Sequence, residues 1–329
     1  MEGVKRLILA FACCLLPSCG GRTGSTAVRL AVQPPSTNNY PSHLAQWLGF
    51  YKQEGLDVTI SQIAGASKVL EAMIGDSADV AGGVYEQTIQ MAAEGRDVVC
   101  FVSLLRSPSF AIVAIPGRGV KSVSDLKGKV TGVSSVGSPS QFYLNHVLLS
   151  VGVQPSEVST TSVGMGATAV AAVEHEQVDA ATLFGSAITA LTSRRPDTLI
   201  LADTRTPEGL RAVFGVDDYP ASCLLARGEW LKTHPDTARR IARAVLRSLA
   251  WIRGHSPEEI LAQIPPESRA GDTAAEIAAI KFAKPMYSVD GRIRPDSAEA
   301  VRKVLAGSMD RARDARIDLA RTYTNQFLP

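Results

Sequence analysis

Residues 28–60 read VRLAVQPPSTNNYPSHLAQWLGFYKQEGLDVTI, and the order of elements in that stretch sets the fold class. Val28–Val32 is an apolar run of strand length. Gln33–Tyr40, rich in Pro and Asn, breaks it into a loop. Leu44, Trp47, Leu48 and Tyr51 then recur at helical spacing, predicting an amphipathic helix that stops at Gly55. Leu56-Asp57-Val58-Thr59-Ile60 alternates as a second strand. Strand, helix, strand is the rhythm of an α/β protein.

The rhythm continues outward. Gly65-Ala66-Ser67 introduces a helix through Ile74, with Ser67 as its expected N-cap. Asp79–Gly83 reads as a strand, and Tyr85–Ala93 as a helix closed by Gly95. A hundred residues later the unit returns: IAGASKVLEAMIGDSADVAGG (63–83) aligns without gaps on VGMGATAVAAVEHEQVDAATL (163–183). Identities are few, Ala72/Ala172, Asp79/Asp179 and Ala81/Ala181, but helix and strand stay in phase. With 329 residues the chain exceeds what one hydrophobic core comfortably serves. Two similar lobes, each with a glycine-rich loop feeding a helix N-terminus, are the expectation.

Further helix signals lie between and beyond these units. Ser122 and Asp125 cap a short turn that Gly128 ends. Ser138-Pro139-Ser140-Gln141 offers an N-cap, a proline at the first helical position and a capping-box glutamine, opening a helix to Ser150. Thr233-His234-Pro235-Asp236 starts a helix whose Ile241, Val245, Leu249 and Ile252 form a core stripe. Arg239, Arg240, Arg243 and Arg247 are read as its solvated face. A last helix is expected over Ser297–Leu305.

The amino terminus reads as an export address. Lys5 and Arg6 precede ten apolar residues, Leu7–Leu16, too short to span a bilayer. Leu16-Pro17-Ser18-Cys19 resembles a bacterial lipoprotein box, which would make Cys19 the lipidated first residue of the mature chain. Pro17 departs from the small residue of that box, and ordinary signal cleavage is the alternative. The expected layout is 1–18 signal peptide, 19–26 lipid-anchored tether, 27–110 first part of lobe 1, 111–217 lobe 2, and 218–329 the rest of lobe 1 with C-terminal helices. Cys13 and Cys14 fall in the signal, leaving Cys100 and Cys223 in apolar runs, as free thiols or one disulfide.

A net charge of +2 and 6% aromatic residues give no reason to expect a nucleic-acid partner. No His-Glu-X-X-His, Gly-X-Ser-X-Gly, Walker loop or Gly-X-Gly-X-X-Gly is present. The sequence therefore assigns no catalytic residue, no metal ligand and no cofactor. Glu174-His175-Glu176 sits at a helix exit, where neighbouring side chains diverge, and is read as solvated. What remains is binding chemistry: helix N-termini, with Ser67 and Ser138 one to a lobe, suited to a small anionic or accepting ligand.

Val28–Ile60, together with Gly75–Ala81, Ser124–Lys129, Gly137-Ser138 and Gln177–Ala181, resembles the type II periplasmic solute-binding proteins of the SsuA/TauA and NMT1/THI5-like group. These take nitrate, alkanesulfonates, taurine and thiamine-pyrimidine precursors. The resemblance covers residues 27–329. It implies two Rossmann-like lobes joined by a two-stranded hinge, with crossovers near Ser107–Pro116 and Phe214–Ser222. It also implies a monomer that captures a small molecule and delivers it to an ABC permease in the membrane. Carried over, the cleft would be lined by Asn38, Asn39, Tyr40, Gly65, Ser67, Tyr85 and Glu86 from one lobe. Ser135, Ser138, Gly166 and Phe184 would line it from the other. Thr37-Asn38-Asn39 is similar to a Thr-Asn-His of the pyrimidine-binding branch, without the histidine. Tyr40, Tyr85 and Phe184 would clamp a ring, and Glu86 would favour an amine or amidine over a bare anion. Relatives that synthesise the thiamine pyrimidine use a cysteine-rich motif and iron, and that motif is absent. A ligand-sensing module for a membrane partner is the other alternative.

Overall fold

The computed structural model describes residues 25–269, 272–314 and 317–329. The expected signal peptide, Cys19 and all but the last residues of the tether lie outside them. The chain runs β1 (Thr26–Val32), α1 (Tyr40–Trp47), α2 (Phe50–Gln53), β2 (Leu56–Gln62), α3 (Ala66–Ile74), β3 (Val80–Val84), α4 (Tyr85–Ala93) and β4 (Val98–Ser103). It then crosses to β5 (Phe110–Ala114), β6 (Val130–Val133), α5 (Pro139–Ser150), β7 (Ser159–Ser162), α6 (Ala167–Glu174), β8 (Ala180–Phe184), α7 (Ser186–Arg194), β9 (Leu199–Asp203) and α8 (Pro207–Phe214). It returns through β10 (Ser222–Arg227) to α9 (Gly228–Thr233), α10 (Pro235–Gly254), α11 (Pro257–Ala262), α12 (Thr273–Ala283) and α13 (Pro295–Ala306).

Two five-stranded sheets result, ordered β2-β1-β3-β10-β4 and β7-β6-β8-β5-β9. This is the two-lobed α/β fold expected from the sequence. In each sheet three strands are parallel, and one antiparallel strand, β10 or β5, separates them from the edge strand. Alternation along β1 serves two cores. Leu30 and Val32 join the cluster with Leu44, Ile241 and Val245, while Ala31 joins the one with Val69, Ile89 and Val301. The two crossovers pair with each other: Ala221 N–H donates to Leu105 O at 3.0 Å and Leu104 N–H to Ser222 O at 2.8 Å. The first crossover is residues 104–109, since Phe110–Ala114 already belongs to the second sheet as β5.

The repeat has a physical basis at each matched position. Asp79 N–H donates to Arg29 O at 2.8 Å, and its carboxylate accepts from Arg29 N–H at 2.8 Å. Asp179 does the same with Val130, at 2.8 and 2.9 Å. An arginine covers each carboxylate, Arg29 on Asp79 at 2.7 Å and Arg118 on Asp179 at 2.8 Å. The carbonyls of Ala72 and Ala172 accept from Ser77 and Gln177 N–H, which ends each helix before Asp76 (φ 63°) and Glu176 (φ 54°) turn the chain. Ala81 and Ala181 are buried opposite Ala31 and Gly132. Glu176 and Glu174 pair with Arg118 and Arg194, and no group of acids, His and Cys among the described residues could hold a metal ion.

Several local expectations are corrected. The first helix is broken in two at Gly49, whose φ of 71° is left-handed. Gly65, not Ser67, is the N-cap of α3, because it alone takes the φ of 101° that the approach from β2 requires. Ser138 and Pro139 do open α5, but the Gln141 carbonyl accepts from Gly137 N–H at 2.6 Å and not from the N-cap itself. The arginines of α10 are not simply solvated. Arg243 pairs with Glu54 at 2.8 Å, Arg247 lies 4.4 Å over the Phe50 ring, and Arg240 pairs with Asp236 at 2.9 Å. The strand expected at Val28 begins at Thr26, inside the segment read as tether. Replacing Asp79 or Asp179 by Ala leaves the backbone N–H of Arg29 or Val130 without its carboxylate, and each should cost about 1–2 kcal/mol. Urea unfolding checks this, with Asp197→Ala on the surface as a near-neutral control.

Candidate functional site in the cleft

The carboxyl ends of β1, β3, β6 and β8 point into the space between the lobes, where ligands of open α/β sheets are held. A cavity of about 160 Å³ lies there. Lobe 1 contributes Gln33, Asn38 and Asn39 from the loop after β1, and Gly82, Gly83, Val84 and Glu86 from the passage of β3 into α4. Lobe 2 contributes Phe110, Ser134, Pro139, Ser140, Met165 and Phe184. Leu105, Ser107, Pro108, Ala221 and Ser222 of the crossovers close its back.

Strand pairing builds the floor. Ser222 sits opposite Val84 at the end of one sheet, and Phe110 opposite Phe184 at the end of the other. The Phe110 and Phe184 rings meet edge to face at 5.9 Å. A Cβ on Gly83 would lie 2.5 Å from Gln87 Oε1 and 2.7 Å from Leu225 Cδ1, so any side chain there would displace both. Gln87 in turn accepts from Val84 N–H at 3.1 Å, fixing where α4 begins. In lobe 2 the hydroxyls of Ser134, Ser138 and Ser140 join within 2.8–3.0 Å of one another, and Ser140 Oγ takes Ser134 N–H at 2.9 Å.

Of the eleven residues named from sequence, Asn38, Asn39, Glu86 and Phe184 line the cavity. Asn39 is largely consumed by its own loop: its amide donates to Gln33 O at 2.8 Å and its carbonyl accepts from Ser36 N–H at 2.8 Å. Ser135, Ser138 and Gly166 stand in the turns that present Ser134, Pro139, Ser140 and Met165. Gly65 and Ser67 are exposed beside α3 and do not reach the cavity wall. Two aromatics are elsewhere. Tyr85 is fully buried, its hydroxyl 2.6 Å from Thr322 Oγ1 and its ring against Tyr323, because the side chain at the first position of α4 turns into the core. Tyr40 borders a separate groove of about 380 Å³ between the first loop and α12. The aromatic pair in the cavity wall is Phe184 with Phe110, a residue expected within a crossover. The continuous apolar run Phe110–Ala114 was the available signal.

Glu86 is the one ionisable residue in this lining. It is 6% exposed, and Tyr219 donates to its Oε1 at 3.3 Å, while Oε2 has no hydrogen-bond partner among the described residues. Burial pushes its carboxyl up to about 7, against the opposing pull of a backbone N–H and of Tyr219. In the unfolded chain the same group ionises near 4.5. The carboxyl is therefore at ease below that pH, and stability is lost as pH rises from there through about 7. Glu86→Gln removes this loss, worth on the order of 3 kcal/mol. Melting of ligand-free protein between pH 5 and 8 should show the variant gaining on the parent as pH rises; parallel curves would contradict the assignment.

Residues 36–260 match the model of the family described as NMT1/THI5 like. A solved structure from Bordetella bronchiseptica RB50 is 34% identical, covering 92% of this chain and 95% of its own, with a TM-score of 0.78. The periplasmic aliphatic sulphonate binding protein SsuA of Escherichia coli shares the fold at 18% identity and TM-score 0.72, covering 90% and 96%. A 4-amino-5-hydroxymethyl-2-methylpyrimidine phosphate synthase of Schizosaccharomyces pombe is 24% identical over 212 residues, 62% of this chain. The match spans 59% of the synthase, less than two thirds of its length. With two thirds of its residues under the family model and the cleft in the place the fold prescribes, this chain belongs to the NMT1/THI5-like family and has the two-lobed fold of the type II periplasmic binding proteins.

Proposed function

We propose that this protein is the extracytoplasmic capture component of an ABC importer, holding one small molecule between its lobes and handing it to a membrane permease. The observation that carries this is the cavity itself, built from both lobes at strand ends and backed by both crossovers. A ligand that touches both walls biases a hinge equilibrium toward closure, and closure is what a permease could read. Sulfonate, nitrate or taurine-like anions and thiamine-pyrimidine-like heterocycles are the solute classes that relatives suggest. The protein binds its solute without transforming it: Cys100 and Cys223 are buried in β4 and β10, and neither lines the cavity. Similarity to the pyrimidine phosphate synthase keeps a synthase as the second reading. A sensing role would use the same site with a different membrane partner.

The layout follows from this reading. Residues 1–18 direct export, Cys19 carries lipid, residues 26–103 and 222–329 form lobe 1, and residues 110–214 form lobe 2, in a monomer. Among the described residues no helix is long and apolar enough to cross a membrane, so membrane attachment would rest on the lipid. Thermal melting of the protein from residue 25 onward should rise with concentration of its solute among taurine, alkanesulfonates, nitrate and aminopyrimidines, by about 2.7 kcal/mol at a hundredfold excess over Kd. Formation of an aminopyrimidine by the protein would instead favour the synthase. In cells, Cys19→Ala should release the protein from the membrane fraction, and retention there would rule out the lipid anchor.

A further inference from the structure

Glu86 Oε2 is a buried carboxylate oxygen without a hydrogen-bond partner among the described residues, on a side chain in the wall of the cleft cavity. An ionised carboxylate in such surroundings is costly unless its lone pairs are met. The chain meets one oxygen, through Tyr219 at 3.3 Å, and leaves the other. A proton, or a donor on a ligand that displaces it, would complete the carboxyl. Among the described residues no Lys, Arg or His lines the cavity to balance an anion, and the rest of its polar lining is amides, hydroxyls and backbone. Beside the carboxyl chemistry stand the Phe110 and Phe184 rings. Aromatic faces attract cations and repel anions. The volume, about 160 Å³, is close to the roughly 150 Å³ of a cavity that admits benzene.

We propose that the solute is a small organic cation of about single-ring size, whose ammonium or amidinium N–H groups donate to Glu86 while its body lies against Phe110 and Phe184. This rests on the solute-capture reading above and narrows it. The proton balance follows from the wall. Ligand-free Glu86 holds a proton near neutral pH; the cation enters, the proton leaves to solvent, and the site's net charge stays constant. Tyr219 and Cys223, the titratable groups that interact with Glu86, are both held protonated by burial, so neither supplies that proton. Tyr219 belongs to the second crossover and stacks on Phe214 with ring centres 4.1 Å apart. Ionised Glu86 is the stronger acceptor for its hydroxyl, so an occupied cleft grips the crossover more firmly than an empty one.

The test compares the parent and Glu86→Gln against cations (benzamidine, 4-aminopyridine), neutral isosteres (benzamide, nicotinamide) and anions (benzoate, benzenesulfonate). Thermal shift ranks the probes, and calorimetry at pH 6 in two buffers of different ionisation enthalpy counts protons. Expected are stabilisation by a cation alone and about tenfold weaker binding in Glu86→Gln. Release of about one proton per cation by the parent and none by the variant should accompany it. A neutral or anionic probe that binds parent and variant equally overturns the cation proposal and leaves solute capture standing. Cation binding without proton release, or unchanged in Glu86→Gln, overturns it as well. If no probe of any charge binds, and none of the solutes named earlier does, both readings fall together.

Discussion

The antiparallel insertion of β10 between β3 and β4 is the constraint on which the rest of this molecule depends. A strand from the far end of the chain completes a sheet begun near its start. The intervening lobe must therefore be left and re-entered through neighbouring segments. Those segments, residues 104–109 and 215–221, hydrogen-bond to each other and to the strands they leave. The same insertion sets Ser222 against Val84 and carries Tyr219 to Glu86. Register, crossover and binding wall are thus one structural decision.

The second sheet repeats the plan with β5 in the role of β10. The Asp79 and Asp179 carboxylates show why so little sequence identity suffices to keep it. Each must cap the neighbouring strand and accept an arginine, which only a short anionic side chain does at that position. Ala81 and Ala181, matched with them, are fully buried and leave little room for a larger side chain. Positions between these points carry different cores and are free to diverge. The two lobes are not joined by the crossovers alone. Asn145 of α5 donates to Ser308 Oγ at 2.9 Å just beyond α13, and α12 packs beside α7. Relative motion of the lobes therefore has to slide or break contacts made by the C-terminal helices.

Much of the architecture was legible because periodicity and capping are local. The helix Tyr85–Ala93 is found where the residues put it, and the core stripe of α10 is buried as read. The site was legible only in part, since lining a cleft depends on which way a terminal residue turns. Tyr85 and Glu86 are neighbours on one helix turn, yet one packs into the core and the other into the cavity wall. Asn38 and Asn39 divide similarly, the second being tied into its own loop. Phe110 was missed because the start of β5 resembles a linker until its pairing with Phe184 is known.

The direction of β1 separates handle from mouth. Its first residue, Thr26, hydrogen-bonds to Gly55 at one pole of lobe 1, and its last, Val32, leads straight into the cavity loop. A seven-residue strand is about 23 Å long. Anything coupled ahead of Thr26, whether an affinity label, a fluorophore or a biosensor surface, is thereby held on the side remote from the entrance, and solute has a clear approach to an immobilised molecule.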